Sequence, residues 1–375
     1  MTVKIWANSG DSHFLEPEDL WASYLPAAVA ERMPRSVKDP DGVWETIYVD
    51  GASFRRKMPS TARNRWVNGK TILEMAQQAE GIRDARLRMI DLDNQGVWAE
   101  VCYPSLGLWQ TLIKNRELAV AGARALNDWA YSEILSHSPR LVAVAELPLL
   151  DVPDAVQELE RVAAMGFKAV FLPIEPPEGM DGYNRETWEP LWSAAEEAGM
   201  VAAFHIGTEN HDLAVVRGPG ARVASFCETS FGAMRVAIQM VASGVLERHP
   251  GLRMLISEGG ASWVPFIADR MNEVYNTEAF VSPQLARMPK EYMYEQVYTT
   301  FQHDPSAIQA MAAMGYTNIL WGSDYPHVEG TYPVTQQILS ELFADASDEV
   351  RYRITQGAFL ELFPHVGSPP TVAAA

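Results

Sequence analysis

Six side chains carry the chemistry legible in this sequence. Asp11 and His13 stand two apart in "SGDSHF", His205 closes "VAAFH", and Glu258 follows "RMLIS". His303 follows "YTTFQ", and Asp324 lies in "WGSDYPH", residues 321–327. In an extended segment residues i and i+2 point the same way, so Asp11 and His13 can reach one point. Carboxylates gathered in a pocket repel one another, and a divalent cation removes that cost. Histidine and aspartate donors together suit Zn²⁺, Mn²⁺, Fe²⁺ or Co²⁺ and do not choose among them. One such ion is expected, with zinc as first choice. An open coordination position would hold a water whose pKa falls toward about 7. Taken singly, each residue has a plainer reading. His205 could be a hydrogen-bonded structural group, Asp11 could cap a turn, and Asp324 could hold the turn in "SDYP". Their convergence points to metal. For His303 a supporting role, a substrate contact and a plain loop position all stand open. "WGSDYPH" also sets His327 within four residues of Asp324, and no role is assigned to that imidazole.

The elements that would position these residues alternate. Strand-like runs cover Val3–Trp6, Val97–Tyr103, Leu141–Leu147, Phe167–Leu172, Met200–His205, Leu252–Ser257, Gln296–Phe301 and Asn318–Trp321. Several are continuously apolar, as strands covered on both faces are. Helical patterns lie between most of them; "VPDAVQELERVAAMG" has Pro153 near its start and Gly166 at its stop. Eight strands with intervening helices predict an α/β fold of the (β/α)8 TIM-barrel type, with chemistry at the C-terminal strand ends. A doubly wound open sheet is the runner-up, but "SGDSHF" is no phosphate-binding turn. Residues 1–375 are read as a single domain. An inserted hairpin and loop after the first strand (about 35–80) turns at Asp50-Gly51 and is expected to overhang the active site, and a loose tail covers about 366–375.

Other residues carry less. His137 and His249 precede helix exits and read as surface caps, while His211 and His365 stay unassigned. Cys102 reads as core packing. Arg55, Arg56 and Lys57 form a solvated hairpin face or meet an anionic substrate. Trp109, Trp263 and Tyr325 near strand ends suit a flat or apolar small molecule.

The chain has 375 residues and a formal net charge of −18. Such a field repels phosphate backbones and anionic membranes, so neither nucleic acid nor membrane is an expected partner. Two cysteines make no disulfide framework, and neither a signal peptide nor a membrane-spanning run is read. The expectation is a cytoplasmic protein acting on a small-molecule substrate.

The motifs "DSHFLEPEDLW", "FHIGT", "HPGLRMLISEGGASWVPFIADRM" and "ILWGSDYPH" resemble the amidohydrolase superfamily. Within it they resemble the amidohydrolase-related branch that includes aminocarboxymuconate-semialdehyde decarboxylase and dihydroxybenzoate-type decarboxylases. The likeness runs from about residue 5 to about residue 364. It implies a metal-dependent barrel and a homodimer or higher homo-oligomer. It implies metal ligation by Asp11, His13, His205 and Asp324, a proton-shuttling role for Asp324, and loop support from Glu16. There are two departures: Asp-x-His replaces the branch's usual first pair, and Glu258 stands where its decarboxylases carry a histidine. A carboxylate presents no imidazolium to a substrate carboxylate, and no arginine sits beside a predicted ligand. The first reading is therefore a hydrolase of an amide, lactone, ester or related substrate, with Asp324 handling the proton and Glu258 and His303 orienting substrate. The alternative is non-oxidative decarboxylation of an aromatic or unsaturated carboxylic acid.

Overall fold

A computed structural model describes residues 4–58, 66–67, 70–71, 74–75, 78–208, 219–278 and 284–370. In chain order the strands are β1 (Ala7–Ser9), β2 (His13–Phe14), β3 (Arg35–Lys38), β4 (Trp44–Val49), β5 (Ala52–Lys57), β6 (Trp66–Val67) and β7 (Lys70–Thr71). They continue with β8 (Val97–Pro104), β9 (Leu141–Ala145), β10 (Ala169–Pro173), β11 (Val201–His205), β12 (Arg253–Ser257), β13 (Val297–Phe301) and β14 (Ile319–Trp321). The parallel sheet runs β1-β8-β9-β10-β11-β12-β13-β14, with β2 prolonging the first position beside β8. The last strand meets the first through hydrogen bonds from Gly10 N to Trp321 O (2.9 Å), His13 N to Tyr325 O (2.7 Å) and Asp324 N to Asp11 O (2.9 Å). Eight positions therefore close into a (β/α)8 barrel.

The period-two alternation of each strand divides the core. Leu141, Ala143, Val170, Leu172, Ala202 and Phe204 face outward onto the helices. Val142, Val144, Ala169, Phe171, Val201, Ala203 and Leu255 face inward, together with Phe359, Phe363 and Val366 from the C-terminal segment. That parity carries chemistry. His205 continues the inward series 201–203–205 and Ser257 continues 255–257, so both reach the C-terminal mouth. The packed C-terminal segment extends into the expected tail: Val366 is buried and its carbonyl accepts Trp98 Nε1 at 3.1 Å. Residues 371–375 lie outside the described residues.

The first strand begins at Ala7, later than the expected Val3–Trp6. Residues 1–3 lie outside the described residues. Strand limits follow the partner's hydrogen bonds, and here Ala7 is the residue that pairs with Val97. Asp11 consequently sits at the strand's exit.

Within the expected insert, β3, β4 and β5 form an antiparallel sheet. Asp50 (φ 46°) and Gly51 (φ 79°) make its tight turn, as two-residue hairpin loops require. The Asp50 carboxylate accepts the backbone N–H groups of Lys114 and Asn115, and Phe54 packs on Trp109 at 5.1 Å. The hairpin thus docks on the loop leaving β8 at the barrel's C-terminal end. Arg55 pairs with Asp39 and Arg56 with Glu45, so these two arginines are engaged inside the insert. Among the described residues, no helix is long and apolar enough to cross a membrane.

Candidate active site

The barrel brings Asp11, His13, His205 and Asp324 to one buried point. His13 Nε2 lies 3.2 Å from His205 Nε2, 3.7 Å from Asp11 Oδ1 and 3.6 Å from Asp324 Oδ1. His205 Nε2 is 3.5 Å from Asp11 Oδ1. The approach of β14 to Asp11 requires Gly322, because a Cβ there would sit 2.9 Å from the Asp11 Cβ. The other ring nitrogen of each histidine faces a carbonyl. His13 Nδ1 is 3.4 Å from Pro104 O, and His205 Nδ1 is 2.8 Å from Ile206 O. Donation to those carbonyls leaves both Nε2 lone pairs facing each other, as in histidines held ready for a metal. Below them Tyr103 packs on His205 at 4.8 Å, and its hydroxyl meets Ser257 Oγ at 2.7 Å.

Opposed imidazole lone pairs beside buried carboxylates demand a positive charge. Both Asp11 oxygens are buried without a hydrogen-bond partner. Donor types and unsatisfied atoms together fit a divalent cation. Without the cation, a proton takes its place. Burial pulls His205 down, but Asp11 and then Glu258 outweigh it and push its pKa up to about 9. His13 goes the other way, well below its ordinary value, through burial and then the positive fields of His327 and His205. At pH 7–8 the cation-free site therefore holds its proton on His205, and cation uptake must expel it. About one proton is expected per ion bound, read with a pH indicator in weak buffer. Uptake with no proton released would remove His205 from the ligand set.

Two of the three non-glycine residues with positive φ among the described residues are site acids: Glu258 (φ 63°) and Asp324 (φ 50°). Such conformers cost on the order of 1–3 kcal/mol each and persist where neighbours impose them. Here Thr300 Oγ1 accepts Glu258 N at 2.8 Å, and Asp11 O accepts Asp324 N. The twist turns both carboxylates into the mouth. Glu258 Oε2 lies 4.0 Å from His205 Nε2, and Glu258, Asp324 and Glu329 offer oxygens within 4.8 Å of one another. Burial, then the charge of Asp324, holds the Glu258 carboxyl well above the usual carboxylate range. Asp324 is likewise raised by burial, to about 6, against the opposing pull of His327.

His303 does not join this group. Its ring is exposed, and Nε2 donates to the Glu329 carbonyl at 2.8 Å. In this position His303 braces the loop after β14. His249, read as a surface cap, is buried between Glu189 (2.9 Å) and Glu196 (3.1 Å). His211 lies outside the described residues. Glu16 accepts the N–H groups of Ser105, Leu106 and Gly107 and so supports the loop after β8.

The residue that sequence reasoning leaves without a role is His327. Its ring stacks on His13 at 4.1 Å, and Nδ1 lies 2.9 Å from Asp324 Oδ1. The side chain is 37% exposed, whereas Asp11, His13 and Asp324 are wholly buried, so it is the imidazole facing the open mouth. Desolvation lowers its pKa, but Asp324, Glu329 and Glu258 outweigh that and push it up to about 10. The i, i+3 spacing in "SDYPH" is the signal that points to it.

A metal-ligand set at the mouth of a (β/α)8 barrel marks the class, and the comparisons place the chain within it. The amidohydrolase family model matches residues 80–364, and the chain belongs to that family. It is 26% identical over 272 residues to the gamma-resorcylate decarboxylase of Rhodococcus jostii (strain RHA1), covering 68% of this chain and 80% of that protein. An amidohydrolase structure from Mycobacterium avium subsp. paratuberculosis K-10 superposes with a TM-score of 0.78 at 20% identity, over 97% of this chain and 100% of that one. A dihydroxybenzoic acid decarboxylase from Polaromonas sp. JS666, solved with manganese and the inhibitor 2-nitroresorcinol, gives 0.63 at 18% identity, over 96% and 97%. These findings correct the first reading. The hydrolase expectation rests on Glu258, which offers no imidazolium, but the curated relatives are decarboxylases. In this structure an imidazole, His327, reaches the mouth from the loop after β14, and a carboxylate, Glu258, reaches it from the end of β12.

Proposed function

We propose that this chain is a metal-dependent non-oxidative decarboxylase acting on an aromatic or unsaturated carboxylic acid. The observation that carries the reading is His327, paired with Asp324 and stacked on His13 at the open mouth. The named activities of the relatives support it. Asp11, His13, His205 and Asp324 would hold the ion, which when bound supplies Lewis-acid grip on the substrate's carboxylate and an adjacent oxygen. Zinc is the proposed ion, and manganese, held by the dihydroxybenzoic acid decarboxylase, is its first rival.

The remaining chemistry belongs to the chain. His327, charged, attracts the carboxylate and sets the acid's reacting carbon beside an N–H. The carbon–carboxyl bond breaks, its electron pair stays on that carbon, the carbon takes the proton from His327, and CO₂ leaves. Asp324 orients the ring and stabilises its charged form, and solvent at the exposed ring returns the proton. Glu258, whose carboxyl burial and the charge of Asp324 push toward the protonated form, hydrogen-bonds a substrate oxygen. The test uses protein loaded with Zn²⁺ or Mn²⁺ and a panel of ortho-hydroxybenzoates and unsaturated diacids. CO₂ release with one deuterium entering the product from D₂O is the expected result. Metal-loaded protein that releases no CO₂ from any of them would sink the reading.

A further inference from the structure

Arg88 is a fully buried guanidinium outside the set of residues just described. It projects from the helix Ala85–Gln95, which precedes β8 and is capped by Asp84. Its Nε pairs with the buried carboxylate of Glu100 on β8. Its Nη1 donates to His13 O at 2.8 Å and to Gly81 O at 3.5 Å, and its Nη2 donates to Tyr325 O at 3.4 Å. The guanidinium lies over the rings of Phe14 (4.2 Å) and Tyr325 (4.6 Å). The carbonyls of His13 and Tyr325 belong to the two segments that deliver the site: β2, and the turn carrying Asp324 and His327. One planar fork therefore spans the seam where the barrel closes. Among the described residues no ladder strand bridges that seam beyond Trp321, since only the isolated Ser12–Tyr325 bridge continues it.

We infer that Arg88 is a positioning residue that sets the separation of His13 from Asp324 and His327 by clamping the backbone oxygens of both segments. A lysine could neutralise Glu100 but offers no fork to reach two carbonyls in different directions. The inference rests on the metal reading proposed above. It concerns geometry at the ligands, so metal affinity and ligand field report it more directly than turnover.

The experiment uses the full chain, stripped and titrated with Co²⁺ in competition with a chelating dye, with the visible cobalt spectrum recorded. Two variants are compared: Arg88→Lys, and the double variant Arg88→Met/Glu100→Met. The second removes the buried ion pair as a unit, which leaves no orphaned charge and is commonly tolerated. Circular dichroism and thermal unfolding follow folding in both. The expected result is a folded double variant whose cobalt dissociation constant is about 10–100-fold weaker, with an altered spectrum, as loss of ligand-supporting groups produces. Arg88→Lys should recover part of the affinity. Folded variants with wild-type affinity and spectrum would overturn the inference and leave the metal reading intact. A wild-type chain that takes up no cobalt would overturn the metal reading and the inference with it. An Arg88→Lys chain that fails to fold would make Arg88 a folding residue and overturn the inference alone.

Discussion

Replacing His205 with alanine is expected to abolish stoichiometric metal binding, and turnover with it, while the barrel stays folded. His205 ends β11, and its Nε2 faces His13 Nε2 at 3.2 Å. Removing it deletes one of two neutral nitrogen donors and leaves Asp11, His13 and Asp324, whose carboxylates remain crowded. A site that loses one of its ligands loses most of its affinity, since binding energy depends on ligand count and geometry. The fold should survive because the strand is held by its register with β10 and β12 and by the core around Phe204, not by the imidazole. Elemental analysis of the purified variant beside wild type, with thermal unfolding of both, reads the outcome. A variant that keeps one metal per chain would show that the ion sits elsewhere.

The second large effect separates proton delivery from metal holding. His327→Asn should lower kcat by about 10²–10⁴-fold, the usual contribution of a positioned acid or base, with metal content unchanged. That corresponds to roughly 3–5.5 kcal/mol of lost transition-state stabilisation. Asparagine keeps a polar side chain next to Asp324 but carries neither the charge nor the transferable proton. The stacking on His13 (4.1 Å) would be lost as well, so elemental analysis must accompany the kinetics. A variant with normal metal and near-normal CO₂ release would remove His327 from the chemistry. Proton delivery would then fall to Glu258, whose raised pKa and position at the β12 exit make it the next acid to replace.

Much of this site is legible in the sequence. Asp11, His13, His205 and Asp324 stand out because each follows an apolar run, and strand exits are where a parallel barrel exposes side chains to a common mouth. The inward direction of His205 is also readable, since parity along a strand is a local property. His303 shows where that logic stops. It too follows a strand, but its ring is exposed and hydrogen-bonded to the loop after β14, a contact made 26 residues along the chain. His327 shows the converse. It lies beyond the strand in a turn, and its return to the cluster depends on the backbone pairing of Ser12 with Tyr325 across the seam.

Local pattern alone is enough for the eight alternating units, the Asp50-Gly51 turn and the donor types that call for a cation, because strand parity, turn conformation and donor chemistry belong to a residue and its near neighbours. Which imidazole faces the mouth, how far protonation is displaced on His205, Glu258 and Asp324, and the clamp of Arg88 between His13 and Tyr325 are decided by tertiary structure. Each of these depends on groups tens to hundreds of residues apart in the chain, and both electrostatics and hydrogen bonding act through distance in space.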